Sequence, residues 1–172
     1  MEGDKTRRFE ALVLPHLDVA YNLARWLTRS DQDAEDIVQE AFLRAFRFLD
    51  GMHGDSARAW LLAIVRNTAM SWLEGGRASS ATREFDELRH GQAHTDGPES
   101  RLARKEERGQ VNAALRKLPV EFREVLVLRE MEDLSYREIA HIAAIPIGTV
   151  MSRLSRARRE FAALLAKEDC NG

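Results

Sequence analysis

A chain of 172 residues with 44% hydrophobic and 31% charged residues can hold one domain or two small ones, and is too apolar to be disordered throughout. No apolar run approaches the ~20 residues needed to cross a bilayer, and the opening MEGDKTRRFE lacks the hydrophobic core of a signal peptide, so a cytoplasmic protein without membrane insertion is expected. The single cysteine, Cys170, excludes a disulfide framework and a cysteine-based zinc site, and a net charge of −2 means that any binding of a polyanion needs its charges segregated.

From Phe9 to Leu73 apolar residues recur at helical spacing, with no useful strand alternation. Pro15 divides an opening helical segment from a main helix whose inward stripe is Leu17, Ala20, Tyr21, Ala24 and Leu27. The chain turns over Thr28 to Asp31. The next helix, about Asp33 to Leu49, buries Ile37, Val38, Ala41, Phe42, Ala45 and Phe46, and Gly51 and Gly54 close it. A third helix, roughly Ser56 to Leu73, carries Trp60, Leu61, Ile64, Val65, Thr68 and Trp72, with Asp55 or Ser56 as its N-cap. The acidic cluster Asp31, Asp33, Glu35, Asp36 and Glu40 reads two ways: as a docking surface for a basic partner, or as a solvated first turn whose carboxylates suit the helix dipole.

Between Gly75 and Ser100 the composition turns to Gly, Ser, Thr and charge, with little to bury. This segment reads as a tether. Its His90 and His94 lack a third ligand in a fixed element, so solvated linker histidines are expected and no metal. Helices resume after Pro98: one through Leu118, a second from about Glu121 to Met131, and then a closely spaced pair. Ser135 and Glu138 form a capping box that opens a short helix with Ile139, Ile142 and Ala143 on its apolar face. Ala143, Ala144 and Ile145 leave room for a corner, and Pro146 suits the first position of the helix that follows.

Along that last helix Val150, Leu154, Ala157, Phe161 and Leu164 share a buried face. Placed in a major groove, it offers Ser152, Ser155 and Arg156 to base edges and Arg153, Arg158 and Arg159 to phosphates; a merely solvated basic face is the other account. The whole predicts an all-α fold of two small helical domains, residues 1–75 and 100–172, joined by a flexible linker, 76–99.

The blocks DAEDIVQEAFLRAF, GDSARAWLLAIVRNTAMSWL and LPVEFREVLVLREMEDLSYREIAHIAAIPIGTVMSRLSRARREF, in that order and across a polar linker, resemble the extracytoplasmic-function class (group 4) of the sigma-70 family. The resemblance spans almost the whole chain. It implies an RNA polymerase sigma factor that directs promoter-specific initiation without a cofactor or catalysis of its own. The first domain then resembles sigma region 2 and the second sigma region 4.

By that resemblance the first block docks on the clamp helices of the polymerase largest subunit, through Asp33, Asp36, Gln39, Glu40 and Phe42. The second meets the melted minus-10 element through Met52, His53, Asp55, Ser56, Trp60, Arg66 and Asn67. The third reads the minus-35 duplex through Thr149, Met151, Ser152, Arg153, Ser155, Arg156 and Arg159. An anti-sigma partner is implied as well, as is a monomer when free.

Three departures from the family pattern stand out. Met151 occupies a place where many relatives carry a basic residue, Ala144 replaces a common corner glycine, and TAMSWLEGG lacks the usual basic residues, leaving Arg66 and Arg77 for the minus-10 backbone. A helix-turn-helix repressor or activator that works without polymerase is the other function class in view. It needs a dimer to span two half-sites, and no heptad run supplies the seam. No phosphate loop, nucleophile elbow or histidine–carboxylate spacing points to an enzyme, and His16, His53 and His141 fall in unrelated segments.

Overall fold

The computed structural model describes residues 2–54, 56–76 and 98–171, and among these every regular element is a helix. The all-α fold is as expected. Most of the tether, with His90, His94 and Arg77, lies outside the described residues, as does Asp55.

α1 (Glu2–Leu12) stops ahead of Pro15, which sits in a single 3-10 turn, Leu14–His16, before α2 (Leu17–Thr28). α2 ends on Arg29, left-handed at φ 56°, whose N–H donates to the Arg25 carbonyl at 2.7 Å. Ser30 follows as the N-cap of α3 (Asp31–Arg47), its hydroxyl accepting from the Asp33 N–H at 3.2 Å. α3 therefore starts two residues before the expected Asp33, because Ser30 sets the cap. Ser56 opens α4 (Ala57–Glu74) in the same way, accepting from the Ala59 N–H at 3.0 Å.

α5 (Pro98–Lys117) and α6 (Val120–Leu126) are separated by Pro119, and α6 runs on through one π turn, Val127–Met131. The predicted capping box opens α7 (Tyr136–Ala143): the Glu138 N–H donates to Ser135 Oγ and the Ser135 N–H to Glu138 Oε1, each at 3.1 Å. The corner turns at Ala144, left-handed at φ 56° and ψ 46°. Pro146 stands one place before α8 (Ile147–Asn171), not on its first turn, and its carbonyl accepts from Thr149 and Val150 at 3.0 and 3.1 Å.

α2, α3 and α4 pack on one another, and α1 adds Phe9, whose ring stands edge-on to Phe42 and Phe46 at 6.0 and 5.4 Å. In the C-terminal half α8 is the spine, touching α5, α6 and α7. Its predicted stripe is buried at Val150, Leu154 and Ala157, and Phe161 and Leu164 pack partly exposed against the core. Each fully buried aliphatic side chain of this kind contributes ~1.5–3 kcal/mol.

The two halves also share a polar seam, where α2 meets α6 and α4 meets α7. At its centre lies Arg123, only 3% exposed, which donates to the Trp26 carbonyl at 2.5 Å, to the Leu27 carbonyl at 3.2 Å and to its own half's Leu118 carbonyl at 2.9 Å. Around it Arg29 donates to the Arg116 carbonyl at 3.1 Å, Asn22 to Glu132 at 2.7 Å and Arg58 to the Glu132 carbonyl at 2.5 Å. The seam widens the buried side of α2: Leu23 and Trp26 are covered, whereas Leu17, expected inward, is 43% exposed.

Burial, and then the charge of Arg29, push the Arg123 guanidinium down to about 10, so at neutral pH the α2 carbonyls still receive a charged donor. Removing it strands buried acceptors at ~1–3 kcal/mol each. Arg123→Ala is expected to lower the unfolding free energy by about 3 kcal/mol, read as an earlier urea midpoint, and Arg123→Lys, which cannot fork onto separate carbonyls, to recover only part of it. Ala144→Gly is expected to move the midpoint the other way by up to about 1 kcal/mol, because a left-handed alanine is strained and a glycine is not.

Candidate nucleic-acid and partner interfaces

Three surfaces gather the residues singled out in the sequence. On α3, Asp36 and Gln39 are exposed and Glu40 is half-buried, its carboxylate accepting from Arg44 at 2.8 Å. Asp33 is 4% exposed and belongs to the capped first turn, and Phe42 is half-buried beside Phe9. The same face holds a residue outside the sequence-predicted set: Leu43, 71% exposed, one helical turn beyond Glu40 and two beyond Asp36. Phe48, just past the end of α3, is 60% exposed. The i, i+4, i+7 spacing from Asp36 was the available signal.

On α4, Ser56, Trp60 and Asn67 fall on one side at steps of four and seven, with Asn67 fully open and Trp60 half-buried. Met52 and His53 precede them in the connection from α3, His53 exposed. Arg66 lies elsewhere. With Arg58 and Leu62 it forms the row that faces the C-terminal half, and its Nε donates to Glu124 Oε1 at 2.7 Å.

Glu124 is fully buried, and its Oε2 has no hydrogen-bond partner among the described residues. Burial pushes its carboxyl above the ordinary glutamate range, against the hydrogen bond and charge of Arg66 and the charge of Arg153, which pull it down. His16 is held below the usual histidine range by burial first and by the Arg58 charge second. No group of three or more histidine, cysteine, aspartate or glutamate side chains among the described residues is arranged to hold a metal.

On α8 the buried Val150, Leu154 and Ala157 turn the opposite side outward, where Met151, Ser152, Ser155, Arg156 and Arg159 are exposed and Thr149 is half-buried. Arg158 is bound by Glu130 at 2.8 Å, and Arg153 is half-buried and close enough to act on Glu124. Among the described residues Arg156 and Arg159 have no ion-pair partner.

Two family models match this chain, Sigma-70 region 2 over residues 12–78 and Sigma-70, region 4 over residues 108–161, and between them they cover all three surfaces. It is 38% identical over 164 residues to the RNA polymerase sigma-H factor of Pseudomonas aeruginosa, across 91% of this chain and 84% of that one. The ECF RNA polymerase sigma-E factor of Escherichia coli K12 is 38% identical over 166 residues, across 91% and 85%. The chain belongs to the ECF sigma factors. It is therefore an RNA polymerase sigma factor, directing promoter-specific transcription initiation.

Solved structures agree with that membership. The sigma factor RpoE of Bartonella quintana, crystallised with the anti-sigma factor NepR, superimposes with a TM-score of 0.72 at 27% identity, over 93% of this chain and 98% of that one. CnrH in complex with the cytosolic domain of CnrY gives 0.66 at 29% identity, over 94% and 90%. No helix among the described residues of this sigma factor is long and apolar enough to cross a membrane.

The buried carboxylate gives the seam a pH signature. With its folded-state pKa above the unfolded value, Glu124 holds more proton in the folded chain, so its contribution is present at acid pH and is lost as pH rises from the ordinary glutamate range through the raised folded value. Glu124→Gln keeps an acceptor for Arg66 without the titration. The thermal midpoint of the variant relative to the native chain is expected to rise as pH is taken upward from the ordinary glutamate range; a constant difference would show that Glu124 does not titrate with a raised value.

Proposed function

We propose that α3 docks this sigma factor on core RNA polymerase through Asp36, Gln39, Glu40 and the exposed Leu43, and that the other two surfaces divide the promoter between them. The polymerase element with the matching chemistry is the basic, amphipathic clamp-helix pair of its largest subunit. Met52, His53, Trp60 and Asn67 take the non-template strand of the melted minus-10 element, with a base extruded against α4. α8 lies in the major groove of the minus-35 element, where Arg156 forks onto a guanine and Arg159 meets phosphate.

The observation that carries this reading is the separation of an exposed acidic and apolar face on α3 from an exposed serine and arginine face on α8, in a chain of net charge −2. Residues 1–75 act as the polymerase and minus-10 unit, 100–172 as the minus-35 unit and 76–99 as the tether. The chain does no chemistry: it lends selectivity to the enzyme it rides on, in the cytoplasm where that enzyme works. Arg66, expected at the minus-10 element, can reach DNA only by leaving Glu124, which requires the seam to open. An anti-sigma partner fits the same architecture, as RpoE with NepR exemplifies.

Transcription reconstituted with core polymerase tests the assignment. Asp36→Arg is expected to abolish initiation at every promoter and co-elution with core, whereas Arg156→Ala is expected to lower initiation by about 10-fold or more only where the minus-35 guanine is present, a bidentate contact being worth ~1–3 kcal/mol. Normal initiation by both variants would overturn it.

A further inference from the structure

The N-terminal end of α8 holds two large apolar side chains in the open: Ile147 is 44% exposed and Met151 is 54% exposed. Four residues apart, they form one row on the helix surface. Packing gives no account of them, because the buried side of this helix is completed by Val150 and Leu154, at 0% and 1% exposure. Around the exposed face the apolar row lies on one flank and the Ser152–Arg156 row on the other, with Gly148 and Ser155 between. At Gly148 an added Cβ would meet nothing within 4 Å, so the helix backbone itself is open there.

A major groove presents hydrogen-bond acceptors, donors and one apolar feature, the C5-methyl of thymine. Serine and arginine match the first two and gain nothing from a methyl. An aliphatic or thioether side chain does the reverse, and methionine, unbranched and polarisable, adapts to a small apolar knob. The flanking Arg156 and Arg159 are charged against a polyanion, which selects duplex DNA over an apolar protein surface as what covers the row.

We propose that Ile147 and Met151 form an apolar reader of pyrimidine 5-methyl groups in the minus-35 duplex, which makes Met151 a specificity-determining residue that works on the opposite flank from Arg156. This rests on α8 being the element that enters that duplex. The minus-35 sequence preferred by this chain therefore combines a guanine seen by Arg156 with thymine seen by Met151, within the span of one groove contact.

The test uses the full chain with core polymerase and a promoter library randomised over the minus-35 element. The native chain is expected to enrich thymine at one or two positions beside the guanine, and Met151→Ala and Ile147→Ala to lose the thymine while keeping the guanine. On the selected promoter, replacing those thymines by deoxyuridine, which removes only the methyl, is expected to cost the native chain about fourfold in initiation and Met151→Ala almost nothing. Replacing the guanine by 7-deazaguanine reports the Arg156 contact separately. Undiminished initiation from deoxyuridine templates, or thymine enrichment that survives in Met151→Ala, overturns the methyl reader. If 7-deazaguanine is also without effect, the placement of α8 in the minus-35 groove falls with it. Both side chains are exposed, so the variants are expected to fold and bind core as the native chain does, which co-elution checks.

Discussion

The position of each half of this molecule relative to the other depends on one guanidinium set against the end of one helix. The last carbonyls of α2 have no partner within their own helix and carry the negative end of its dipole. Water would satisfy them in an isolated unit. Here Arg123 enters from α6 and serves Trp26 and Leu27, while its remaining donors go to Leu118 in its own half. Arginine suits the place because its planar fork reaches several acceptors at once and keeps its charge when buried. A lysine could serve one direction, and an apolar residue would leave acceptors unpaired. The seam thus combines hydrogen-bond geometry, which tolerates little sliding, with the apolar core that runs through both halves.

Beside that plug the polar groups come under competing demands. Arg66 faces Glu124 in the seam, and Arg153 acts on the same carboxylate from α8. The family resemblance had assigned both cations to DNA, Arg66 at the minus-10 and Arg153 at the minus-35 element. On that assignment the buried carboxylate competes with phosphate for both arginines. The closed seam and the promoter therefore draw on one set of charges, and each stabilises the chain in an arrangement the other lacks. The desolvation that lifts the Glu124 carboxyl makes this pairing weaker than its 2.7 Å geometry suggests, because part of the Coulomb gain is spent on excluding water.

How much of this could be seen in the residues alone divides by sequence distance. The capping box of α7, the corner at Ala144 and the buried stripe of α8 are local patterns, and each appears where the spacing put it. Membership of the sigma factors was legible for the same reason, since its blocks are contiguous runs. Arg123 and Glu124 were not legible: EFREV reads as one turn of a charged surface helix, and their partners lie 96, 97 and 58 residues away. Leu43 carried no signal of its own, an apolar residue on a largely apolar helix that faces outward. Within the acidic cluster Asp33 belongs to the capped first turn of α3 and Asp36 to its open face.

The distribution of positive charge explains how a chain of net charge −2 can be selective without being adhesive. Glu130 binds Arg158, and Glu124 lies within the field of Arg153, so internal carboxylates offset part of the basic run of α8. Among the described residues of the N-terminal half of α8, Arg156 and Arg159 face outward without an ion-pair partner, with serines and the Ile147–Met151 row between and beside them. Each neutralised phosphate contributes about 0.9 to the salt slope of binding to duplex DNA, so Arg156 and Arg159 by themselves add only about 2 to it. Base-edge chemistry survives the neutralisation because it depends on shape and hydrogen-bond direction. On the proposed docking, affinity comes from the larger assembly that the α3 face joins, while choice of sequence stays with a few side chains on one helix.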